Sequence, residues 1–155
     1  MDHDQRFKTL ISAFFDDFLR LFFAEWAARL DLSRVEWLDT QLYPDPPDGS
    51  RRVLDMVAKV PIAEMAAPAA TASLLLVHVE IDGSDRTTGI EPRLSYYYHF
   101  LREKYRLPVL PIVLYLKVGL GGIGVGECVE RLWELEVNRF QYLYVGLPGL
   151  DSVQY

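Results

Sequence analysis

Cysteine is almost missing from this chain: Cys128 is the only one in 155 residues. An intrachain disulfide, a zinc ribbon and a redox cysteine pair are therefore excluded, which suits a reducing compartment. Histidine is nearly as scarce, with His3, His78 and His99 showing no zinc-ligand spacing. Positive charge is in deficit, since 16 Lys and Arg stand against 22 Asp and Glu for a net charge of -6. A generally basic nucleic-acid coat is excluded, so contact with nucleic acid must come from a local patch or a metal ion. Long apolar runs are lacking as well. The uncharged run over 66–77 is broken by Pro68 and is too short to span a bilayer. The opening MDHDQRFK is polar and does not read as a secretory signal. A cytoplasmic protein without a membrane partner is the expectation.

Half of the residues are apolar and 13% are aromatic, enough for a sizeable core, so the chain is expected to fold as one domain over 1–155. The abrupt end at 151–155 leaves room for further residues in the native protein. Apolar residues at steps of three and four from Phe7 to Leu30 predict an amphipathic helix over 7–30. Its mixed polar face favours packing on a core over lying on a membrane surface. A bend near Asp31 precedes a short strand over 35–42, and the Pro- and Asp-rich stretch 43–50 predicts a loop. Strands are expected over 52–60, RVLDMVAKV, and 73–81, SLLLVHVEI, the second apolar enough to be covered on both faces. A helix over 92–106 with Pro92 in its first turn, a strand over 107–118, a short helix over 127–135 and a last strand over 140–145 complete the series. Strands interleaved with helices predict an α/β fold, a central mixed sheet flanked by helices.

The chemistry is concentrated in two acids on successive apolar strands. Asp55 lies between Leu54 and Met56, and Glu80 ends the run LLLVHVE. A carboxylate in such surroundings costs several kcal/mol unless it is paired or binds a cation. Adjacent strands would bring both to one point, where a hard cation, Mg²⁺ or Mn²⁺, would neutralise them, with the Ile81 carbonyl as a third oxygen donor. The competing assignment pairs Asp55 with Lys59 or Arg52 and makes Glu80 and Asp82 the marks of the strand's exit into a turn. Lys59 shares the Asp55 face but lies ~13 Å along the strand, too far for a direct contact.

Four segments in this order, DHDQRFKTLISAFFDDFLRLFF, LDMVAKV, LLLVHVEID and RLSYYYHFLREKYRLPVLPIVLY, resemble the Rpn-type recombination-promoting nucleases and putative transposases. That group belongs to the PD-(D/E)XK nuclease-like superfamily, and the resemblance covers 2–117. It implies a restriction-endonuclease-like core, Mg²⁺-dependent DNA endonuclease chemistry, and Asp55 and Glu80 as metal ligands. The third motif position, normally Lys and often Gln in this group, is Asp82. Lysine there would orient water and stabilise the transition state, whereas an aspartate adds negative charge where phosphate must approach. Asp82 then activates the nucleophile, acts as a further metal ligand, or marks a degenerate site. Arg93 matches a family position and is either a bidentate phosphate donor or a surface partner of Glu91. Asp4 either approaches the site or caps the first helix. DNA is the implied partner, and homo-oligomerisation is left open.

Three further features compete for attention. Residues 119–124 fit G-x-G-x-x-G but come late and lack a following βαβ unit, so a loop or hairpin is expected in place of a dinucleotide site. His78 shares a face with Glu80 and is either a core histidine bonded to a neighbour or a support for the metal ligands. Tyr96, Tyr97 and Tyr98 are candidates for stacking on bases, although helical spacing places two of them in the core. Residues 85–106 and 51–59 each carry a balance of +2, consistent with one DNA-facing side of an otherwise acidic chain.

Overall fold

The computed structural model describes residues 3–40, 55–66, 72–83 and 89–150. The expected N-terminal helix is three shorter ones: α1 (His3–Ala13), α2 (Phe15–Phe22) and α3 (Ala24–Ala27). The backbone leaves helical angles at Phe14 and Phe23, where ψ is 33° and 50°. The apolar spacing nevertheless runs through both breaks, and Ile11, Phe15, Phe18, Leu19, Phe23, Ala27 and Leu30 all turn into one core. Among the described residues no helix is long and apolar enough to cross a membrane.

Six strands form one mixed sheet in the order β1-β2-β3-β4-β6-β5. They are β1 (Glu36–Trp37), β2 (Met56–Pro61), β3 (Leu74–Asp82), β4 (Val109–Tyr115), β5 (Gly122–Leu132) and β6 (Leu135–Gly146). The first three pair antiparallel, β3–β4 and β4–β6 pair parallel, and β5–β6 is an antiparallel hairpin. The parallel β3–β4 step needs a crossover, which α4 (Glu91–Tyr105) supplies. Pro92 lies in the first turn of α4, where a missing N–H costs nothing, and Arg106 caps its end in the left-handed region at φ 55°.

Alternation along the strands sorts the core into two layers. Val77, Val79 and Ile81 of β3 pack with Met56, Ala58 and Val60 against α1–α3. On the opposite face, Leu76 and Val57 pack against Tyr97 and Leu101 of α4, while Leu94 packs with Val113 and Tyr115. Tyr97 is therefore core, and Tyr96 and Tyr98 are partly buried beside it. Pro111 is tolerated inside β4 because the pairing with β6 begins only at Ile112.

The C-terminal third departs from expectation. The helix expected over 127–135 is replaced by β5 and the turn after it, and the last strand is longer, from Leu135 to Gly146. Local spacing did not distinguish the two because most of β5 is exposed, so its partner β6 decides its conformation. Its ladder is interrupted by a bulge between Glu130 and Arg131. The glycine-rich stretch leads into this hairpin and not into a helix, so the helix N-terminus that would hold a pyrophosphate is lacking there. Its glycines serve close backbone crossing instead: a Cβ on Gly146 would lie 1.7 Å from the Leu120 carbonyl oxygen. Gly146→Ala is therefore expected to lower stability by about 1–3 kcal/mol, read as a shifted urea midpoint with unchanged m-value.

Candidate active site

β2 and β3 pair regularly from Pro61↔Leu74 to Met56↔Val79, and the ladder stops one residue before Asp55. Beyond that point side chains replace backbone partners. The Ile81 N–H donates to Asp55 Oδ2 at 2.7 Å. In return the Asp55 N–H donates to Glu80 Oε1 at 3.4 Å. Each acid thus accepts a backbone N–H belonging to the other strand's segment, and the two carboxylates meet where the strands part.

Glu80 lies on the α4 face of β3 and is 2% exposed. His78 Nε2 lies 2.9 Å from its Oε1, and Arg93 Nη2 lies 3.2 Å from its Oε2. Arg93 comes from the first turns of α4 and reaches inward to Glu80, whereas Glu91 accepts from the Tyr142 hydroxyl at 3.0 Å. His78 is fully buried and stands edge-on to Tyr97 at 5.9 Å, which fits both a core histidine and a support for Glu80. Its Nδ1 and the Nε of Arg93 are buried without a hydrogen-bond partner.

Asp55 is satisfied by a residue that the sequence did not single out. Lys8 Nζ of α1 lies 2.6 Å from Asp55 Oδ1. Of the two cations expected to compete for Asp55, Lys59 pairs with Glu36 at 2.6 Å, and Arg52 lies outside the described residues. Lys8, Gln5 and Ser12 recur at steps of three and four and line one wall of a cleft of about 480 Å³, with Trp37, Leu38 and Asp55 on the other side. That polar row was the available signal, but a polar row on an amphipathic helix ordinarily faces water alone. Asp82 ends β3, buried, opposite Tyr115 of β4, and its carbonyl accepts from the Leu116 N–H. Asp4 falls in the first turn of α1, with its side chain outside the described part of the structure.

The two acids carry different charge burdens. Burial pushes the Asp55 carboxyl up to about 6, with the Glu80 charge adding to it, and the Lys8 and Ile81 contacts offset only part of the rise. Burial acts on Glu80 too, but His78, Arg93 and the Asp55 N–H together hold it below the usual carboxylate range. Between pH 3.8 and about 6 the folded chain therefore holds a proton on Asp55 that the unfolded chain has released. The stability contributed by this group is full below pH 3.8 and is lost as pH rises through 6. Metal-free protein should lose about 3 kcal/mol from this source across that window. The check is urea unfolding in EDTA at pH 4, 5, 6 and 7, where Asp55→Asn should remove that part of the slope.

All four oxygens of the two acids have partners: Lys8 and the Ile81 N–H at Asp55, and His78, Arg93 and the Asp55 N–H at Glu80. Two carboxylates are hard oxygen ligands, and the Asp55 carboxyl is raised first by burial and then by the Glu80 charge, with the Lys8 contact offsetting part of the rise. Among the described residues no group of three or more His, Cys, Asp or Glu side chains is placed to hold a metal ion. Mg²⁺ is commonly held by one or two carboxylates, with waters and substrate phosphate completing its shell. No family model, curated protein or solved structure matches the chain.

Proposed function

We propose that this protein is a metal-dependent DNA endonuclease of the Rpn type, built on a restriction-endonuclease-like core. The observation that carries the reading is the meeting of Asp55 and Glu80 where β2 and β3 part, Glu80 accepting from the Asp55 N–H and Asp55 from the Ile81 N–H. Supporting it are the order of the four sequence segments and the cleft beside Asp55. Asp55 and Glu80 would hold Mg²⁺ or Mn²⁺. The ion would polarise a phosphodiester and lower the pKa of a water at neutral pH.

The protein's own part is positioning and charge. Asp55 Oδ2 stays fixed by the Ile81 N–H, leaving Oδ1 as the oxygen beside Lys8 on the cleft side. His78 and Arg93 keep Glu80 ionised inside the core, so it would offer a charged ligand at neutral pH if an ion displaced one of them. Arg93 is also the candidate phosphate donor, and Asp82 the candidate for orienting the attacking water. In the net reaction water forms one P–O bond and one ester P–O bond breaks, with the water's proton passing to the leaving oxygen.

A second reading has its own support. Asp82 occupies the third motif position, and both Glu80 oxygens already have partners. These features fit a nuclease fold that has lost catalysis and serves as a DNA-docking or protein-interaction module. The deciding experiment is nicking of supercoiled plasmid by the full chain with Mg²⁺, Mn²⁺ or EDTA, beside Asp55→Asn and Glu80→Gln. Metal-dependent nicking lost in both variants supports the nuclease. Absence of both nicking and calorimetric metal binding supports the docking module.

A further inference from the structure

We infer that the free edge of β5 pairs antiparallel with the same edge of a second copy of this chain, in a two-fold register centred on Val129. The inference goes beyond the nuclease reading and does not depend on it. β5 is eleven residues long and ends the sheet, so among the described residues it pairs only with β6. Its outward N–H and C=O groups can receive another strand. The register runs Glu130↔Asn138 and then Arg131↔Glu136, so the extra residue of the bulge is Val137 of β6, and β5 itself keeps its alternation.

Charge selects the register. Val125, Glu127, Val129 and Arg131 share one face of the sheet. On that face an alternating row of charges crosses the hairpin. Glu127 meets Arg139 at 2.7 Å, Arg139 meets Glu136 at 2.8 Å, and Glu136 meets Arg131 at 3.0 Å. The row therefore has an acid at one end and a base at the other, each about half exposed. A two-fold axis through Val129 sets Glu127 of each copy opposite Arg131 of the other. The two rows then join head to tail into a closed ring of alternating charges. Centring the pairing on Glu127, Glu130 or Arg131 puts like charges directly opposite, which is destabilising. Centring it on Cys128 sets both ends of each row against valines. The charges that bar a foreign strand from this edge thus fit a second copy.

The same register covers the exposed apolar tip. Leu132 of one copy falls opposite Gly126 of the other, and Trp133, 86% exposed, falls beside Val125. Gly126 presents no side chain there; the Tyr142 ring already lies over it, where a Cβ would be 2.4 Å from the ring's Cζ. The pairing uses the long edge of each copy and leaves the two-residue β1 outermost on both sides, so it stops at two.

The test is sedimentation equilibrium of the full chain from about 1 to 100 µM, the range in which weak specific pairs dissociate. Wild type should show monomer and dimer and no larger species. Glu127→Arg and Arg131→Glu should each weaken the dimer at least ~10-fold, since each sets like charges opposite at two places. An equimolar mixture of the two variants should form a heterodimer at least ~10-fold tighter than either variant alone, because every facing pair is again of opposite sign. Changes within each chain are the same in the mixture, so this gain belongs to the interface. Oxidative cross-linking checks the register with the surface charges intact. Val129→Cys in a Cys128→Ser background should give a disulfide-linked dimer, because its Cα atoms fall about 4.5–5.5 Å apart. Cys128 of wild type meets its copy diagonally, at about 7–8 Å, and should stay reduced. A wild type that is monomeric throughout, or a mixture no tighter than its components, overturns the inference. Cross-linking through Cys128 in place of Val129→Cys overturns it as well, since the axis would then lie one residue away. None of these results bears on nicking, so the nuclease reading stands or falls separately.

Discussion

On the nuclease reading, Asp55→Asn should reduce metal-dependent nicking at least ~10³-fold while making the metal-free protein more stable at pH 7. The two effects have one cause. The ionised carboxylate is buried beside another carboxylate, and its pKa of about 6 records how poorly the fold tolerates it without further positive charge. Asparagine has nearly the same shape and keeps an oxygen for the Ile81 N–H, so the geometry should survive. The gain in stability at pH 7 should be about 1–3 kcal/mol, falling toward zero near pH 4. On the nuclease reading Asp55 would be a charged metal ligand, and its loss would remove the electrostatic stabilisation that dominates phosphoryl chemistry, which sets the size of the rate effect. On the same reading, metal should reverse the stability order. Wild type should gain about 2.7 kcal/mol when the ion is at a hundredfold excess over Kd, and the variant much less. Thermal melts with EDTA and with Mg²⁺, read beside plasmid nicking, check both halves. A variant that nicks like wild type would remove Asp55 from the chemistry.

Arg93→Met carries the other large expectation, in stability. Glu80 is almost completely buried, and Arg93 supplies a positive charge at one of its oxygens. Removing one partner of a buried ion pair leaves the other charge uncompensated, at a cost of about 3–5 kcal/mol. For a domain of ordinary stability that is a large share of the total. The double variant Arg93→Met/Glu80→Gln should recover much of the loss, because the orphaned charge is gone as well. Urea midpoints of the four proteins in this cycle measure the coupling. A loss below about 1 kcal/mol in the single variant would mean that His78 and the Asp55 N–H suffice to hold Glu80.

Much of this arrangement was legible from residues alone. The nearly unbroken apolar run of β3, the steps of three and four in α4, and the alternation in β2 each reflect a buried face that the side chains must serve. Asp55 and Glu80 stood out because a carboxylate in such a strand demands a partner. Lys8 did not stand out because its partner lies 47 residues away, and nothing local to a helix states which distant acid it will meet. The hairpin expected at the glycine-rich stretch is present, but the second half of β5, expected as a helix over 127–135, carries outward side chains with no core pattern, and only pairing with β6 makes it a strand. The breaks at Phe14 and Phe23 were equally hidden, since the apolar spacing continues across them.

The two outer strands bear on how this molecule meets other copies of itself. A sheet edge offers unpaired N–H and C=O groups to any passing strand, and a long flat apolar edge is a template for aggregation. Among the described residues β1 contributes two residues, too short a row to recruit a neighbour. At the far side β5 is long and its hairpin exposes Val125, Leu132 and Trp133, yet Glu127, Glu130 and Arg131 punctuate the edge and the bulge at 130–131 breaks its register. Both margins of the sheet are blunted by different means, which disfavours its open-ended growth from strand to strand.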